Sequence, residues 1–288
     1  MLRKLYTLPL PDGRALELGR RTLVMGILNV TPDSFADNAP CVDSQEAVDR
    51  ALRMEADGAD LIDVGGESTR PGAESVSADE ERRRVLPVVE RLAGRLTVPI
   101  SIDTYKARVA EDALAAGAVI VNDVSGLSYD PSLGDVVARR GAALVLMHTR
   151  GRSKTMYREA AYEAVAREVA GELRAAIERA IGAGVRFDRL VVDPGLGFAK
   201  RAEHSYRVLA SLPELAALDR PLLVGPSRKS FLARAIGAAP PAERDWGTAA
   251  AVAASVLLGA HIVRVHHVAA MRDVVRVIDT LLAESEKA

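Results

Sequence analysis

Residues 189–200 of the sequence, RLVVDPGLGFAK, begin as an apolar strand and then stop regular structure at Asp193, Pro194 and Gly195. Asp193 therefore stands where a buried strand ends, a position from which a carboxylate can face a ligand. Because one carboxylate accepts two parallel N–H hydrogen bonds, it suits the amidine-like edge of a flat heterocycle. The residue types at this point predict that Asp193 binds such a heterocycle.

Polar side chains also follow the other short apolar runs of the chain. In order they are Asn29, the segment 65–70, Asp103, Asn122 with Asp123, His148, the segment 227–230, and Arg264 with His266. Arg70, Arg264 and His266, together with Asn29 and Thr69, supply the cations and hydrogen-bond donors that a phosphate or diphosphate requires. A single polar residue at a strand end more often caps a helix, but eight such ends favour a common binding site.

Eight runs rich in Val, Ile and Leu must position these side chains. The runs are continuous, which is typical of parallel strands covered on both faces, and helical segments such as 44–59, 78–94 and 162–184 separate them. This alternation predicts an α/β fold, a (β/α)8 TIM barrel, whose active site lies at the carboxyl ends of the strands. A doubly wound open sheet is the alternative, but no glycine-rich dinucleotide motif follows the first run.

The first twenty residues differ from the rest of the chain. Residues 1–20 alternate around an Asp12-Gly13 turn, which predicts a β-hairpin that closes the N-terminal end of the barrel. Residues 21–288 contain no linker or low-complexity segment, so we expect one catalytic domain there.

Composition excludes several classes of function. Of 288 residues, 49% are hydrophobic and 27% charged, and the net charge of −1 offers no basic face for nucleic acid or an anionic membrane. The single cysteine, Cys41, allows no internal disulfide and no cysteine-cluster zinc site, which favours a reducing, cytoplasmic location. No secretion signal is visible, and the longest apolar stretch, 248–263, is shorter than a membrane span. The expected partners are therefore small molecules.

Seven segments of the chain, in order, resemble the motifs of the dihydropteroate synthase family. They read MGILNVTPDSFAD, DVGGESTRPGA, ISIDTYKARVAEDALAAGAVIVNDVSG, LMHTRG, DPGLGFAK, VGPSRKSF and IVRVHHV. The resemblance covers nearly the whole chain. It implies a folate-pathway transferase in which 4-aminobenzoate displaces diphosphate from (7,8-dihydropterin-6-yl)methyl diphosphate to give 7,8-dihydropteroate, and it implies a homodimer.

The same resemblance implies a set of pterin contacts. These are Asp103, Asn122, Met147, Asp193, Phe198, Lys229 and Arg264. Lys229 would reach the pterin carbonyl and N5, and Arg264 would stack on the ring face, where a planar guanidinium does better than an ammonium. Asp103, Lys229 and Arg264 would be catalytic. We expect a dissociative mechanism in which Asp103 stabilises the positive charge developing at the pterin methylene.

The resemblance also implies contacts for the diphosphate and for 4-aminobenzoate. Diphosphate would contact Asn29, Thr69, Arg70, Arg264 and His266, with Mg²⁺ held at Asn29. The 4-aminobenzoate would contact Phe35, Thr69, Pro71, Lys229 and Ser230. The segments 31–40 and 66–77 would order over it.

Other interpretations of the sequence stay open. A non-catalytic pterin-binding paralogue would be expected to have damaged Thr-Arg or Ser-Arg-Lys segments, and both are intact here. A pterin-dependent methyltransferase would not need the Thr69-Arg70 pair, and a barrel for some other phosphorylated substrate would not need seven matching motifs. We expect His148 to be a packing residue rather than a catalyst, and Asp123 to cap a helix or orient Asn122.

Overall fold

A computed structural model of the chain describes residues 3–31, 44–70, 72–158 and 160–285. Within them, strands and helices alternate along most of the chain. The strands are β1 (Tyr6–Pro9), β2 (Ala15–Leu18), β3 (Leu23–Asn29), β4 (Leu61–Gly65), β5 (Ile100–Asp103), β6 (Ile120–Asp123), β7 (Ala143–Met147), β8 (Leu190–Asp193), β9 (Leu223–Val224) and β10 (Ile262–Val265). The α-helices are α1 (Ser44–Ala56), α2 (Ala78–Ala93), α3 (Ala107–Ala115), α4 (Ser132–Arg140), α5 (Val165–Gly182), α6 (Ala202–Ala210), α7 (Ala233–Ile236), α8 (Asp245–Leu257) and α9 (Val268–Ser285).

Strands β3 to β10 form one parallel sheet that curls into a nearly closed barrel. Their order is β8-β7-β6-β5-β4-β3-β10-β9, and the seam between β8 and β9 consists of a bridge between Val192 and Leu222. The Val192 amide donates to the Pro221 carbonyl at 3.0 Å. Strand β9 is only two residues long, and Pro221 and Pro226 on either side of it lack the N–H group that a ladder needs. The predicted (β/α)8 TIM barrel is confirmed.

The predicted N-terminal hairpin is present as the antiparallel pair β1 and β2. Its Leu8, Leu10 and Leu18 are buried and pack against inward-facing side chains near the starts of the barrel strands, among them Met25 and Leu61. Apolar side chains thus fill the amino-terminal end of the barrel. We therefore expect a ligand to enter from the opposite, carboxyl-terminal end.

The helices bury one face each against the outside of the barrel. In α2, Val85, Val88 and Leu92 are fully buried at helical spacing, and the Ser77 hydroxyl caps the helix by accepting from the Glu80 amide at 3.2 Å. This helix matches the predicted segment 78–94. Among the described residues, no helix is long and apolar enough to cross a membrane.

The register of the sheet aligns the polar strand ends. Gly65 pairs with both Asn29 and Asp103, and Asp103 in turn pairs with Asn122. On the far side, Met147 of β7 pairs with Asp193 of β8. Residues that are scattered along the sequence therefore become neighbours around a single rim.

Candidate active site

A cavity of about 660 Å³ opens at the carboxyl ends of the strands. Its lining includes every predicted site residue that the structure describes: Asn29, Thr69, Arg70, Asp103, Asn122, Met147, Asp193, Phe198, Lys229, Ser230, Arg264 and His266. The other two predicted contacts, Phe35 and Pro71, lie outside the described residues, as does most of the segment 31–40. The volume is in the range of pockets that hold small organic ligands.

Arg264 is held between two carboxylates on the floor of this cavity. Its Nε donates to Asp63 at 2.6 Å, and its terminal nitrogen donates to Asp103 at 2.7 Å. Asn122 also donates its side-chain amide to Asp63, at 2.9 Å. Although burial opposes it, the two carboxylates raise the pKa of Arg264. The guanidinium is therefore a permanent cation with a fixed plane.

Asp63 is a site residue that sequence reasoning missed. It lies inside β4, two residues before the strand end, and its side chain is fully buried. Its Oδ2 receives both hydrogen bonds, whereas its Oδ1 has no hydrogen-bond partner among the described residues. A charged residue inside an otherwise apolar run, LIDVG, is the signal that could have revealed it, because a buried carboxylate requires a partner.

Asp103 has an unusual protonation equilibrium. Burial raises the pKa of its carboxyl to about 7, Arg264 opposes the shift, and the negative charges of Asp63 and Glu81 add to it. Burial thus makes the ionised form less favourable than it is in water, while Arg264 holds that form in place. The protonation of Asp103 can therefore change when charge develops on a bound substrate beside it.

Asp193 is presented to the cavity by the turn that follows β8. One carboxylate oxygen accepts from the Gly195 amide at 2.7 Å, and this contact orients the group. Burial raises its pKa to about 6, with the Gly195 hydrogen bond and the charge of Lys229 opposing the shift. At neutral pH the group is mainly a carboxylate, as recognition of an N–H edge requires.

Lys229 reaches the same region from the segment after β9. Its Nζ lies 3.8 Å from the centroid of the Phe198 ring. The preceding residue, Arg228, has a φ of 58°, a strained conformation that is stabilised because its guanidinium binds Asp245 and its amide donates to Thr248 at 2.9 Å. Burial and then the charge of Arg264 lower the pKa of Lys229 to about 8, so most of it remains charged at neutral pH.

Other residues of the cavity lining are suited to an anion. His266 is one of them, with its Nδ1 2.9 Å from the Ser227 hydroxyl, and Asn29, Thr69 and Arg70 line the same cavity. Burial lowers the pKa of His266 to about 3, and the nearby cations Arg264, Arg228, Lys229 and Arg70 lower it further. The imidazole is thus neutral in a field of positive charge that a diphosphate would offset.

Two other polar strand ends do not line this cavity. Asp123 is fully buried and accepts hydrogen bonds from Ser125 and from the Leu127 amide, so it shapes the turn after β6. His148 is also buried, and burial followed by the charge of Lys200 lowers its pKa to about 4. Lys200 itself, which is only 1% exposed, is the second residue that sequence reasoning missed.

Comparisons with known proteins agree with this geometry. The model of the pterin binding enzyme family matches residues 25–266. A dihydropteroate synthase of Synechocystis is 46% identical over 274 residues, 95% of each chain, and that of Escherichia coli K12 is 43% identical over 275 residues, 96% of each. The structure of Xanthomonas albilineans dihydropteroate synthase with 4-aminobenzoic acid superposes with a TM-score of 0.90 at 41% identity, covering 97% of this chain and 99% of that one. Its complex with 7,8-dihydropteroate gives 0.85 at 39% identity, covering 96% and 99%.

Proposed function

The chain belongs to the dihydropteroate synthase family of pterin-binding enzymes, and we propose how its cavity carries out that family's transferase reaction. In this reaction 4-aminobenzoate displaces diphosphate from (7,8-dihydropterin-6-yl)methyl diphosphate, and the products are 7,8-dihydropteroate and diphosphate. The observation that carries the proposal is that one cavity holds both kinds of group. Asp103, Asn122 and Asp193 supply acceptors, and His266 in the same lining is surrounded by cations.

The pterin ring binds against the carboxylates of the cavity. Asp193 accepts from the 2-amino group and N3–H, while Asn122 and Asp103 complete the polar edge. Lys229 donates to the pterin carbonyl and N5, and Met147 and Phe198 line the slot. Arg264 stacks on the ring, a role supported by the two carboxylates that fix the plane of its guanidinium.

The diphosphate binds to cations and neutral donors of the same cavity. Arg70 and Arg264 bind its oxygens as charge-assisted donors, and Asn29, Thr69 and His266 add neutral contacts. Among the described residues no cluster of three or more His, Cys, Asp or Glu side chains could hold a metal ion. A divalent ion, Mg²⁺ in our proposal, fits the Asn29 amide oxygen as one hard ligand beside the diphosphate oxygens, whose charge it neutralises when bound.

The 4-aminobenzoate enters above the pterin methylene. Thr69, Lys229 and Ser230 line this part of the cavity, and we propose that Phe35 and Pro71 complete the subsite. The carbon–oxygen bond to diphosphate breaks first, and the bonding electrons leave with the diphosphate. Asp103 stabilises the resulting cation, the aromatic amine then forms the carbon–nitrogen bond, and one proton is released from the nitrogen.

The test is a product assay with purified protein and Mg²⁺. Dihydropteroate and diphosphate are measured in parallel, with and without 4-aminobenzoate. We expect the two products in equal amounts, formed only when the amine is present, and we expect Asp193→Asn to abolish the activity by weakening pterin binding. Tight pterin binding without product would instead identify a non-catalytic pterin-binding protein and refute the proposal.

We also propose that the chain is a single catalytic domain at 21–288, capped by the hairpin at 1–20, that works as a cytoplasmic homodimer. Large apolar side chains on α8 and α9 support the dimer, because Trp246 is 88% exposed, Val277 66% and Leu281 55%. Light scattering after size-exclusion chromatography should give twice the chain mass of 30.7 kDa. Val277→Asp should shift the protein towards the monomer, and a parent protein of monomer mass would refute the dimer.

A further inference from the structure

Lys200 is a fully buried lysine that does not line the substrate cavity. Burial lowers the pKa of its ammonium to about 7, and the charge of Asp193 opposes the shift. Its Nζ lies 2.7 Å from Nδ1 of His148 and 3.0 Å from the carbonyl oxygens of Gly195 and Phe198, with the His148 carbonyl at 3.4 Å. None of these partners carries a negative charge. Burying a long cationic side chain is costly, so the hydrogen bonds it makes must stabilise a particular local structure.

These partners belong to two segments that border the substrate cavity. Gly195 and Phe198 are in the turn after β8, where the Phe198 amide also donates to the Gly195 carbonyl at 3.1 Å. His148 follows β7, directly after Met147. The two segments touch, since a Cβ on Gly195, whose φ is +65°, would lie 2.0 Å from the His148 carbonyl oxygen. Lys200 thus joins the ends of β7 and β8.

Glu172 and Arg150 fix the orientation of the His148 ring that contacts Lys200. Nδ1 of His148 accepts from the lysine, so its Nε2 carries the proton and donates to Glu172 at 3.0 Å. Arg150 donates to the same carboxylate at 3.0 Å. Partial burial favours the neutral acid, but the hydrogen bonds from His148 and Arg150 lower the pKa of Glu172 to about 2. The Glu172 carboxylate therefore stays ionised.

We propose that Lys200 is a positioning residue for the dihydropterin substrate. By gathering the Gly195, Phe198 and His148 acceptors it sets the shape of the turn 194–198, which places the Asp193 carboxylate and the Phe198 ring on the pterin. The hydrogen bond to His148, which Glu172 orients, keeps the Lys200 amino group in this position. The inference rests on the proposed pterin site, but it assigns a role to Lys200, His148 and Glu172, which touch neither substrate.

Lys200→Met tests this role, because methionine keeps most of the length of the side chain and removes the donors. The readouts are the Kd for 6-hydroxymethylpterin by calorimetry and the separate KM values for the dihydropterin diphosphate and for 4-aminobenzoate. We expect the Kd and the dihydropterin KM to rise about tenfold or more, as loss of a charge-assisted network implies, with the 4-aminobenzoate KM within about twofold. Lys200→Gln, which keeps two N–H donors, should recover part of the loss.

Arg220→Met is the matched control, since Arg220 is another buried cation that donates to backbone carbonyls, those of Asp219 and Phe187. It lies at the amino-terminal end of the barrel, away from the cavity. A general loss of stability would lower the active fraction of both variants and leave their KM values alone. Only a positioning role predicts the selective change in Lys200→Met.

A folded Lys200→Met with the parent's Kd and dihydropterin KM would overturn the inference. Should both Lys200 variants fail to fold, His148→Phe removes the Nδ1 acceptor at similar volume, and unchanged pterin affinity in that variant would also overturn it. The parent protein separates this inference from the proposed function. If the parent binds no pterin and forms no product, the proposed function fails, whereas a parent that does both leaves only the Lys200 assignment at stake.

Discussion

Replacing Asp63 by Asn should move the pH dependence of catalysis to lower pH. The negative charge of Asp63 is one of the causes that raise the pKa of Asp103 to about 7, after burial and against Arg264. Removing that charge makes the ionised form of Asp103 less unfavourable, so the pKa of Asp103 must fall. A like charge at such a buried site shifts a pKa by on the order of one unit, equivalent to about 1.4 kcal/mol.

The consequence for activity depends on the proposed role of Asp103. If its carboxylate stabilises the cation, kcat/KM for the dihydropterin diphosphate rises as pH increases through about 7, because this ratio reports groups of the free enzyme. In Asp63→Asn the midpoint should move to about 6. The maximum of kcat/KM should also drop, since Arg264 and Asn122 each lose a charged acceptor, at about 1.5 to 3 kcal/mol for a hydrogen bond of this kind.

The assay is the initial rate of dihydropteroate formation across pH values from about 5 to about 9. Asp123→Asn is the matched control, because Asp123 is an equally buried carboxylate at a neighbouring strand end but binds Ser125 and Leu127 outside the cavity. Its midpoint should equal that of the parent protein. A midpoint in Asp63→Asn that stays at the parent value, or moves to higher pH, would refute the electrostatic reasoning.

Three further outcomes are expected. Asp103→Asn should lower kcat more than it weakens pterin binding, and equal losses in kcat and in the Kd for 6-hydroxymethylpterin would remove Asp103 from the chemical step. Burial lowers the pKa of His261 to about 4 in the folded protein. The His261 imidazole therefore binds a proton more readily in the unfolded chain, and the free energy of unfolding should fall as pH drops from about 6.5 towards 4. Urea titrations at pH 7 and pH 5 should show a loss that is about 2 kcal/mol smaller in His261→Gln than in the parent protein, because His148 and His266 contribute to the loss in both. An equal loss in both proteins would contradict this. Ser77→Ala removes the cap of α2 and should cost about 1 kcal/mol in the same titration at pH 7, whereas an unchanged midpoint would show that the Glu80 amide finds another partner.

Sequence periodicity was sufficient for the architecture because the physical causes are local. Continuous apolar runs separated by amphipathic segments can be buried only as parallel strands under helices, and a carboxylate such as Asp193 after such a run must reach a polar surface. The barrel and the convergence of the strand ends follow from that pattern. Phe35 and Pro71 remain predictions, since they lie outside the described residues.

The contacts of Asp63 and Lys200 could not be predicted from the hydrophobic pattern of the sequence. Asp63 lies within a strand, and whether a residue two positions from the end of β4 faces Arg264 depends on the register between strands. Lys200 follows a loop, where a lysine is normally exposed. Only the packing of the ends of β7 and β8 against each other removes it from water and supplies its acceptors.

The sequence by itself determined the order of the strands and helices, the end of the barrel at which polar side chains gather, and the chemical types available there. The tertiary structure decided which of these side chains touch, and therefore their charges. The pKa of about 7 at Asp103 and of about 3 at His266 are set by burial and by partners distant in the chain, such as Asp63 and Arg70. Electrostatic energies depend on distance and on exclusion of water, and neither quantity is fixed until the chain has folded.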